Sequence, residues 1–231
     1  MIKQDFILLI LNCKKYKKKA ILQKNTWLKN IPNNIKYYHV IGIEELSSSF
    51  KIDDENKILF VKSKDDYNSL PDKITAGFKA IQETYDFKYI FKTDDDQTLI
   101  NNTFFNTLIN ILIENYNTGK RYNYGGKLCS IQTHISEYYK KHSELPRNNI
   151  MFATNYCTGR FYFLSNESVS NILSQTDKIK KEYLEDYAIG YYLSKTLKKN
   201  ALNIESNRSF IDYNEPSRFK RNYMLNNNYN I

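Results

Sequence analysis

Six consecutive apolar residues, Phe6–Leu11 (FILLIL), form the first patterned stretch of the chain, with polar residues on both sides. A short unbroken apolar run of this kind reads as a strand buried on both faces, the signature of a parallel sheet. Across 15–28, Tyr16, Ala20, Leu22, Trp27 and Leu28 fall near helical spacing, with Pro32 beyond, so a helix follows the strand. Residues 37–43 (YYHVIGI) and Ile58–Val61 (ILFV) read as the second and third strands. In 70–85, Ile74, Phe78, Ile81 and Tyr85 repeat at the spacing of one helix face. Residues 89–92 (YIFK) make another short strand that runs straight into Thr93-Asp94-Asp95-Asp96, and 102–116 reads as a helix. Alternation of strand and helix predicts an α/β domain with a mostly parallel sheet. The second half is less regular: strands are expected at 122–129 and 160–164 and a helix at 182–197. The asparagine-rich stretch from Arg221 reads as a frayed end.

Length fits this picture. A chain of 231 residues is one domain of ordinary size, here 1–215, with 216–231 as a flexible tail. It buries roughly 70% of its unfolded surface and needs no disulfide or metal staple. With 41% hydrophobic and 26% charged residues, disordered, collagen-like and coiled-coil classes are excluded for the bulk of the chain. Cys13, Cys129 and Cys157 are far apart and lack CxxC or Cys/His spacing, so neither a structural zinc nor a disulfide framework is expected. A reducing compartment is the default. The longest apolar run is far short of the roughly 20 residues that span a bilayer. Lysines 14, 15, 17, 18 and 19 follow it at once, which does not suit a signal peptide. The expectation is a cytoplasmic protein with no membrane anchor in this chain. The net charge of +9 makes nucleic acid the first partner class to weigh. The lysines are dispersed, however, and accompany Asn, Ile and Tyr, residues favoured by AT-rich codons. No nucleic-acid motif joins them, so no nucleic-acid partner is expected. A cleft that handles anionic phosphates calls for the same sign of charge.

The sharpest chemical feature is Lys92-Thr93-Asp94-Asp95-Asp96-Gln97. Adjacent carboxylates repel one another, and folding around them is costly without a cation. They could form a plain acidic loop. They also follow a buried strand, at the end where open α/β sheets bind ligands. Asp94 and Asp96 can face one hard cation with Asp95 turned away, and such oxygens with open water positions suit Mg²⁺ or Mn²⁺ holding a diphosphate. A second feature, Glu185-Asp186 with Gly190 beyond, places two carboxylates at a helix start, where the helix dipole alone would favour them. In the third, Gly159 precedes an aromatic strand, and an ordinary turn into the core would explain it. Cys157 has no histidine near it in sequence and reads as a buried thiol.

In order along the chain, these segments resemble the inverting β1,3-glycosyltransferases of the galactosyltransferase, Fringe and core-1 synthase type. Lys18-Lys19-Ala20 with Lys24-x-Thr26-Trp27 is similar to the basic stretch on their first helix. Asp65-x-Tyr67-x-x-Leu70-x-x-Lys73 is similar to the segment before their donor helix. Phe91-Lys92-Thr93-Asp94-Asp95-Asp96 resembles their DxD metal motif, and Tyr156-x-x-Gly159-x-x-Tyr162-x-Leu164-Ser165 their Tyr-x-x-Gly-x-x-Tyr-x-Leu-Ser stretch. Glu185-Asp186-Tyr187-x-x-Gly190 resembles their Glu-Asp-Val-x-x-Gly box. The set covers roughly 6–212.

The resemblance implies a GT-A fold and a UDP-sugar donor carrying galactose or N-acetylglucosamine. It implies Mn²⁺ or Mg²⁺ held by Asp94 and Asp96, and Asp186 as general base. Asn12, Lys18, Asp65, Lys73, Asp94, Asp95 and Gly159 would lie at the nucleotide sugar. The acceptor would be a glycan or protein hydroxyl, and the product a β-linkage, β1,3 by family habit. The chain departs from the family in carrying Thr158 and Arg160 around the glycine and in having no histidine after His142 to complete the metal shell. Asp212 or a water would take that place, and Asp212 and Glu215 are the candidate bases next in line after Asp186. The lumenal cysteines and anchor of animal members are missing, and a bacterial or large-virus source fits the composition. Two other classes compete. A Mg²⁺-dependent nucleotidyl or phosphoryl transferase could use the same acidic run, but neither GxxxxGK nor GxGxxG occurs. A non-catalytic sugar- or nucleic-acid-binding domain is disfavoured by the presence of both Asp96 and Asp186.

Overall fold

The computed structural model describes residues 1–213. Strand β1 (Phe6–Leu11) buries all six side chains. Its alternating residues serve two different cores, as the two-residue repeat of a strand requires. Ile7, Leu9 and Leu11 pack with Ile74, Phe78 and Ile81 on one face of the sheet. Phe6, Leu8 and Ile10 pack with Phe91, Phe105 and Leu112 on the other. Burying such a side chain stabilises by about 1.5–3 kcal/mol, which is why an apolar run of six locates the centre of the sheet.

Helix α1 (Lys17–Asn25) follows β1, then β2 (Ile35–Gly42), β3 (Phe50–Asp53) and β4 (Ile58–Val61). Helix α2 (Leu70–Thr84) leads to β5 (Tyr89–Asp94), the short β6 (Gln97–Leu99) and α3 (Phe104–Asn117). Then come β7 (Tyr124–Ile131), a small ribbon of β8 (His134–Ile135) and β9 (Ile150–Met151), and the long β10 (Thr154–Ser165). Helices α4 (Asn166–Leu173) and α5 (Glu185–Tyr192) precede β11 (Leu202–Asn203) and β12 (Phe210–Asp212). The eight-stranded sheet runs β11-β7-β10-β5-β1-β2-β4-β3. Its centre, β5-β1-β2-β4, is parallel throughout. β10 is antiparallel to β5 and β7, and β3 is antiparallel to β4. The parallel strands all end at one edge of the sheet, so Asn12, Gly42, Asp65 and Asp94 gather there.

Several elements differ from the sequence expectation. The helix expected over 15–28 breaks at Thr26, whose hydroxyl donates back to the Leu22 carbonyl at 2.7 Å, and Trp27–Asn30 continues as a 3₁₀ turn. The helix expected over 182–197 is two pieces, α5 and the short Lys195–Lys198, because Ser194 caps the second by accepting from the Leu197 N–H. Gly159 does not form a turn before the strand. It lies inside β10, where the register with β7 shifts between Cys157 and Tyr162. The frayed end, the domain boundary at 215 and Glu215 lie outside the described residues.

Candidate functional site

The ends of the parallel strands open into a cleft of about 1240 Å³. The residues expected to act together approach it from four elements. Asn12, immediately after β1, is buried, accepts from the Cys13 N–H at 2.6 Å and lies against His39 Nδ1 at 3.3 Å. Asp65 is a clamp: Oδ1 accepts from the Gly42 N–H and from Lys73 Nζ, at 3.0 and 2.6 Å, and Oδ2 accepts from the Lys14 N–H at 2.8 Å. Lys73 is 1% exposed and also donates to the Asn12 carbonyl at 3.0 Å. One carboxylate and one ammonium thus tie the end of β2, the loop after β1 and the start of α2 together.

Lys18 is not brought to the site. It is exposed and lies outside the lining, whereas Lys15 and Lys19 line the cleft. Lys15 lies in the 3₁₀ turn before α1 and Lys19 in the first turn of α1, where Lys18 is one step around the helix from it. Lys19 Nζ pairs with Asp95 Oδ1 at 3.0 Å and sits 4.0 Å above the centre of the Tyr16 ring.

The acidic run is held from behind. Gln23 Nε2 donates to the carbonyls of Asp94 and Gln97, and Trp27 Nε1 donates to Gln97 as well. β12 pairs with β6 so that Asp212 lies opposite Gln97, and the Tyr213 N–H donates to the Asp96 carbonyl at 2.8 Å. Burial raises the Asp94 carboxyl to about 7; Lys92 opposes the shift and Asp96 adds to it. Burial raises Asp95 to about 6 against the pull of Lys19.

Among the described residues no three acidic, histidine or cysteine side chains converge as a closed metal cage. Asp94 has one oxygen on Lys92 Nζ at 2.8 Å, and Asp96 Oδ1 accepts from Gln97 Nε2 at 2.9 Å, so each carboxylate keeps a second oxygen. A pair of half-exposed carboxylates fits a hard divalent cation that completes its shell with water and phosphate oxygens.

Across the cleft, α5 starts with Glu185 and Asp186. Asp186 Oδ2 accepts from the Gly159 N–H at 2.7 Å and Oδ1 from the Tyr187 N–H at 2.8 Å. Burial lifts its carboxyl to about 6; Glu185 adds to this, while Lys92 and the two backbone donors oppose it. Glu185 is more than a helix-start charge. It is 6% exposed and accepts from Lys92 Nζ at 2.9 Å and from the Tyr162 hydroxyl. Lys92 is 1% exposed and donates in addition to the Gly159 carbonyl at 2.9 Å. Burial alone would pull the ammonium down, but Asp94 and Glu185 hold its pKa well above the ordinary lysine value.

Arg160, the departure beside Gly159, donates from its guanidinium to the Phe210 carbonyl at 3.1 Å, and its own carbonyl accepts from Thr93 Oγ1 at 2.7 Å. It therefore ties β10 to β12 and to β5. An aromatic wall completes this side. Tyr67 stacks on His142 at 3.9 Å, Tyr138 stacks beyond it at 6.4 Å, and Tyr156 and Tyr183 also line the cleft.

Sequence reasoning missed Lys19, Gln23, the Lys92–Glu185 pair and the Tyr138–His142 stack. A lysine ending the apolar run YIFK was a visible signal that position 92 has a partner. Its identity was not, because Glu185 lies 93 residues away.

A profile of the galactosyltransferase family matches residues 17–201. No curated protein matches the chain. Among solved structures, a putative glucose-1-phosphate thymidylyltransferase from Bacillus anthracis superposes with a TM-score of 0.50 at 12% identity, covering 98% of this chain and 96% of that one. The bifunctional glycosyltransferase WbbM gives 0.48 at 10% identity, covering 88% of this chain, which spans 39% of WbbM. The galactosyltransferase LgtC gives 0.41 at 10% identity, covering 87% of this chain and 73% of that one. At such identities the full-length likeness to the thymidylyltransferase speaks of a shared fold and not of shared chemistry.

Proposed function

The chain belongs to the galactosyltransferase family, and on that premise we propose a GT-A glycosyltransferase, an inverting, metal-dependent enzyme that moves a hexose or N-acetylhexosamine from a UDP-sugar to an acceptor hydroxyl. Galactose and N-acetylglucosamine are the favoured sugars, and the product is a β-linkage, β1,3 by family likeness. The observation that carries this reading is the pairing, in one cleft, of the Asp94–Asp96 edge with an Asp186 carboxylate aimed by two backbone N–H groups.

Asp186 is the general base. Its two hydrogen bonds fix the carboxylate, and its pKa near 6 leaves it ionised at neutral pH yet basic enough to accept a proton. The acceptor oxygen attacks C1 of the sugar from the face opposite UDP and gives its proton to Asp186. The bond from C1 to the diphosphate breaks as the new bond forms, and its electron pair leaves with UDP. Inversion at C1 turns an α-linked donor into a β-linked product. A divalent cation held by Asp94 and Asp96 would stabilise the charge developing on the departing diphosphate. Lys15 and Lys19 place positive charge on the same wall. Asn12, Lys73 and Asp65 shape the floor on which the nucleotide would lie, and the flat rings of Tyr67, Tyr138 and His142 support a glycan acceptor over a bare protein hydroxyl. Family membership favours this chemistry over nucleotidyl or phosphoryl transfer.

The test is a panel of nucleotide sugars scored for UDP release and for binding, with Mn²⁺ and with EDTA. Turnover or tight binding of one UDP-sugar only with Mn²⁺ is expected. Metal-independent turnover, or preference for a nucleoside triphosphate, would overturn the reading.

A further inference from the structure

A lysine with 1% exposure at the end of an apolar strand is expensive to bury, and such a pair is weak as a stabilising device because desolvation offsets its attraction. The position of Lys92 accounts for it better. Its ammonium reaches Asp94 Oδ1, Glu185 Oε2 and the Gly159 carbonyl at 2.8, 2.9 and 2.9 Å. These three contacts belong to the acidic run, the start of α5 and the middle of β10. The Gly159 N–H in turn donates to Asp186 Oδ2, so the glycine is gripped on its carbonyl side by Lys92 while its amide grips the base. Glu185, next to Asp186 in the chain, is fixed by Lys92 and by the Tyr162 hydroxyl. Gly159 sits close under both groups: a Cβ there would lie 3.3 Å from Asp186 Oδ2, a tight contact, and 3.4 Å from Lys92 Nζ.

We infer that Lys92, Glu185 and Gly159 form a positioning unit that sets where the Asp186 carboxylate points, and that Lys92 links that setting to the donor edge at Asp94. Lys92 and Glu185 are positioning residues; neither has to touch substrate. The inference rests on Asp186 being the base. Misplacing a reacting group by about 1 Å can cost on the order of 100-fold in rate.

The experiment compares wild type with Glu185→Gln, Gly159→Ala and Asp186→Asn, using UDP with Mn²⁺ as the binding probe and transfer from the active UDP-sugar as the rate. Crystal structures of the two positioning variants accompany these measurements. Glu185→Gln is close in shape but removes the charge that Lys92 faces. It should leave UDP affinity within about threefold, lower kcat by roughly 10–100-fold and leave the donor KM nearly unchanged. Its crystal structure should show Asp186 Oδ2 drawn away from the Gly159 N–H. Gly159→Ala keeps the buried pair and crowds Asp186 Oδ2 by a few tenths of an ångström, so it should lower kcat in the same direction by a smaller factor, about 3–10-fold, and it decides the matter if Glu185→Gln fails to fold. Wild-type kcat in a folded Glu185→Gln and in Gly159→Ala, or an unmoved Asp186 in both structures, overturns the inference. Full transfer by Asp186→Asn sinks the base assignment instead; loss of transfer there with normal kcat in the other two sinks only the positioning unit.

Discussion

Asp186 shows how a single side chain acquires a task from its surroundings. Two backbone donors and a nearby lysine favour its ionised form, burial and Glu185 disfavour it, and the balance leaves the carboxyl near 6, above its ordinary 3.8. A base works in its ionised form. Transfer should therefore rise as pH climbs through about 6, a limb read from kcat at saturating Mn²⁺ and donor, where a bound cation would keep Asp94 ionised and remove its own step near 7. A limb near 4 would mean that burial does not tune this group. Asp186→Asn should abolish the limb and lower transfer by about 10²–10⁴-fold while UDP binding survives. Asp96→Asn should behave differently, weakening both Mn²⁺-dependent UDP binding and turnover, because it subtracts a cation ligand and leaves the core intact. Calorimetry with Mn²⁺ and with EDTA separates the two variants; equal UDP affinity in both buffers for the wild type would remove the metal from the account.

Elements meet at distances that their residues permit. Helix α5 crosses β10 so closely that a Cβ on Gly190 would fall 2.2 Å from the Tyr156 Cβ and 2.7 Å from its Cα. Backbone cannot yield as a side-chain tip can. Gly190→Ala should cost about 1–3 kcal/mol, read as a lowered denaturation midpoint with unchanged slope. An unaltered midpoint would mean that α5 slides freely on the sheet, which would also deprive Asp186 of a fixed support. The Asp65–Lys73 clamp works at the same scale. It fixes α2 against the loop after β1, and its carboxylate oxygens are occupied by three donors from the protein itself.

Across the whole molecule, the surplus of +9 has a local outlet in the lysines of the cleft wall and otherwise lies dispersed. Filter binding at physiological salt should show only weak retention of oligonucleotides, with no sequence preference; nanomolar selective binding would reassign the charge to a nucleic-acid partner. Among the described residues no helix is long and apolar enough to cross a membrane.

The sequence by itself determined the layers of the fold and the place of the acidic run. Strand and helix periodicities are local: Phe6–Leu11 needs only its own six residues to be recognised as a strand buried on both faces, and YIFK followed by Thr93 and Asp94 needs only its neighbours to mark a strand end. Only the tertiary structure decided which lysine enters the cleft, because Lys18 and Lys19 differ by one step around a helix whose apolar face is too thin to fix its rotation. It alone placed Gly159 inside a strand, paired Lys92 with Glu185 across 93 residues, and laid Asp212 opposite Gln97. Those contacts arise from chain crossings at the sheet edge, and no spacing along the sequence records them.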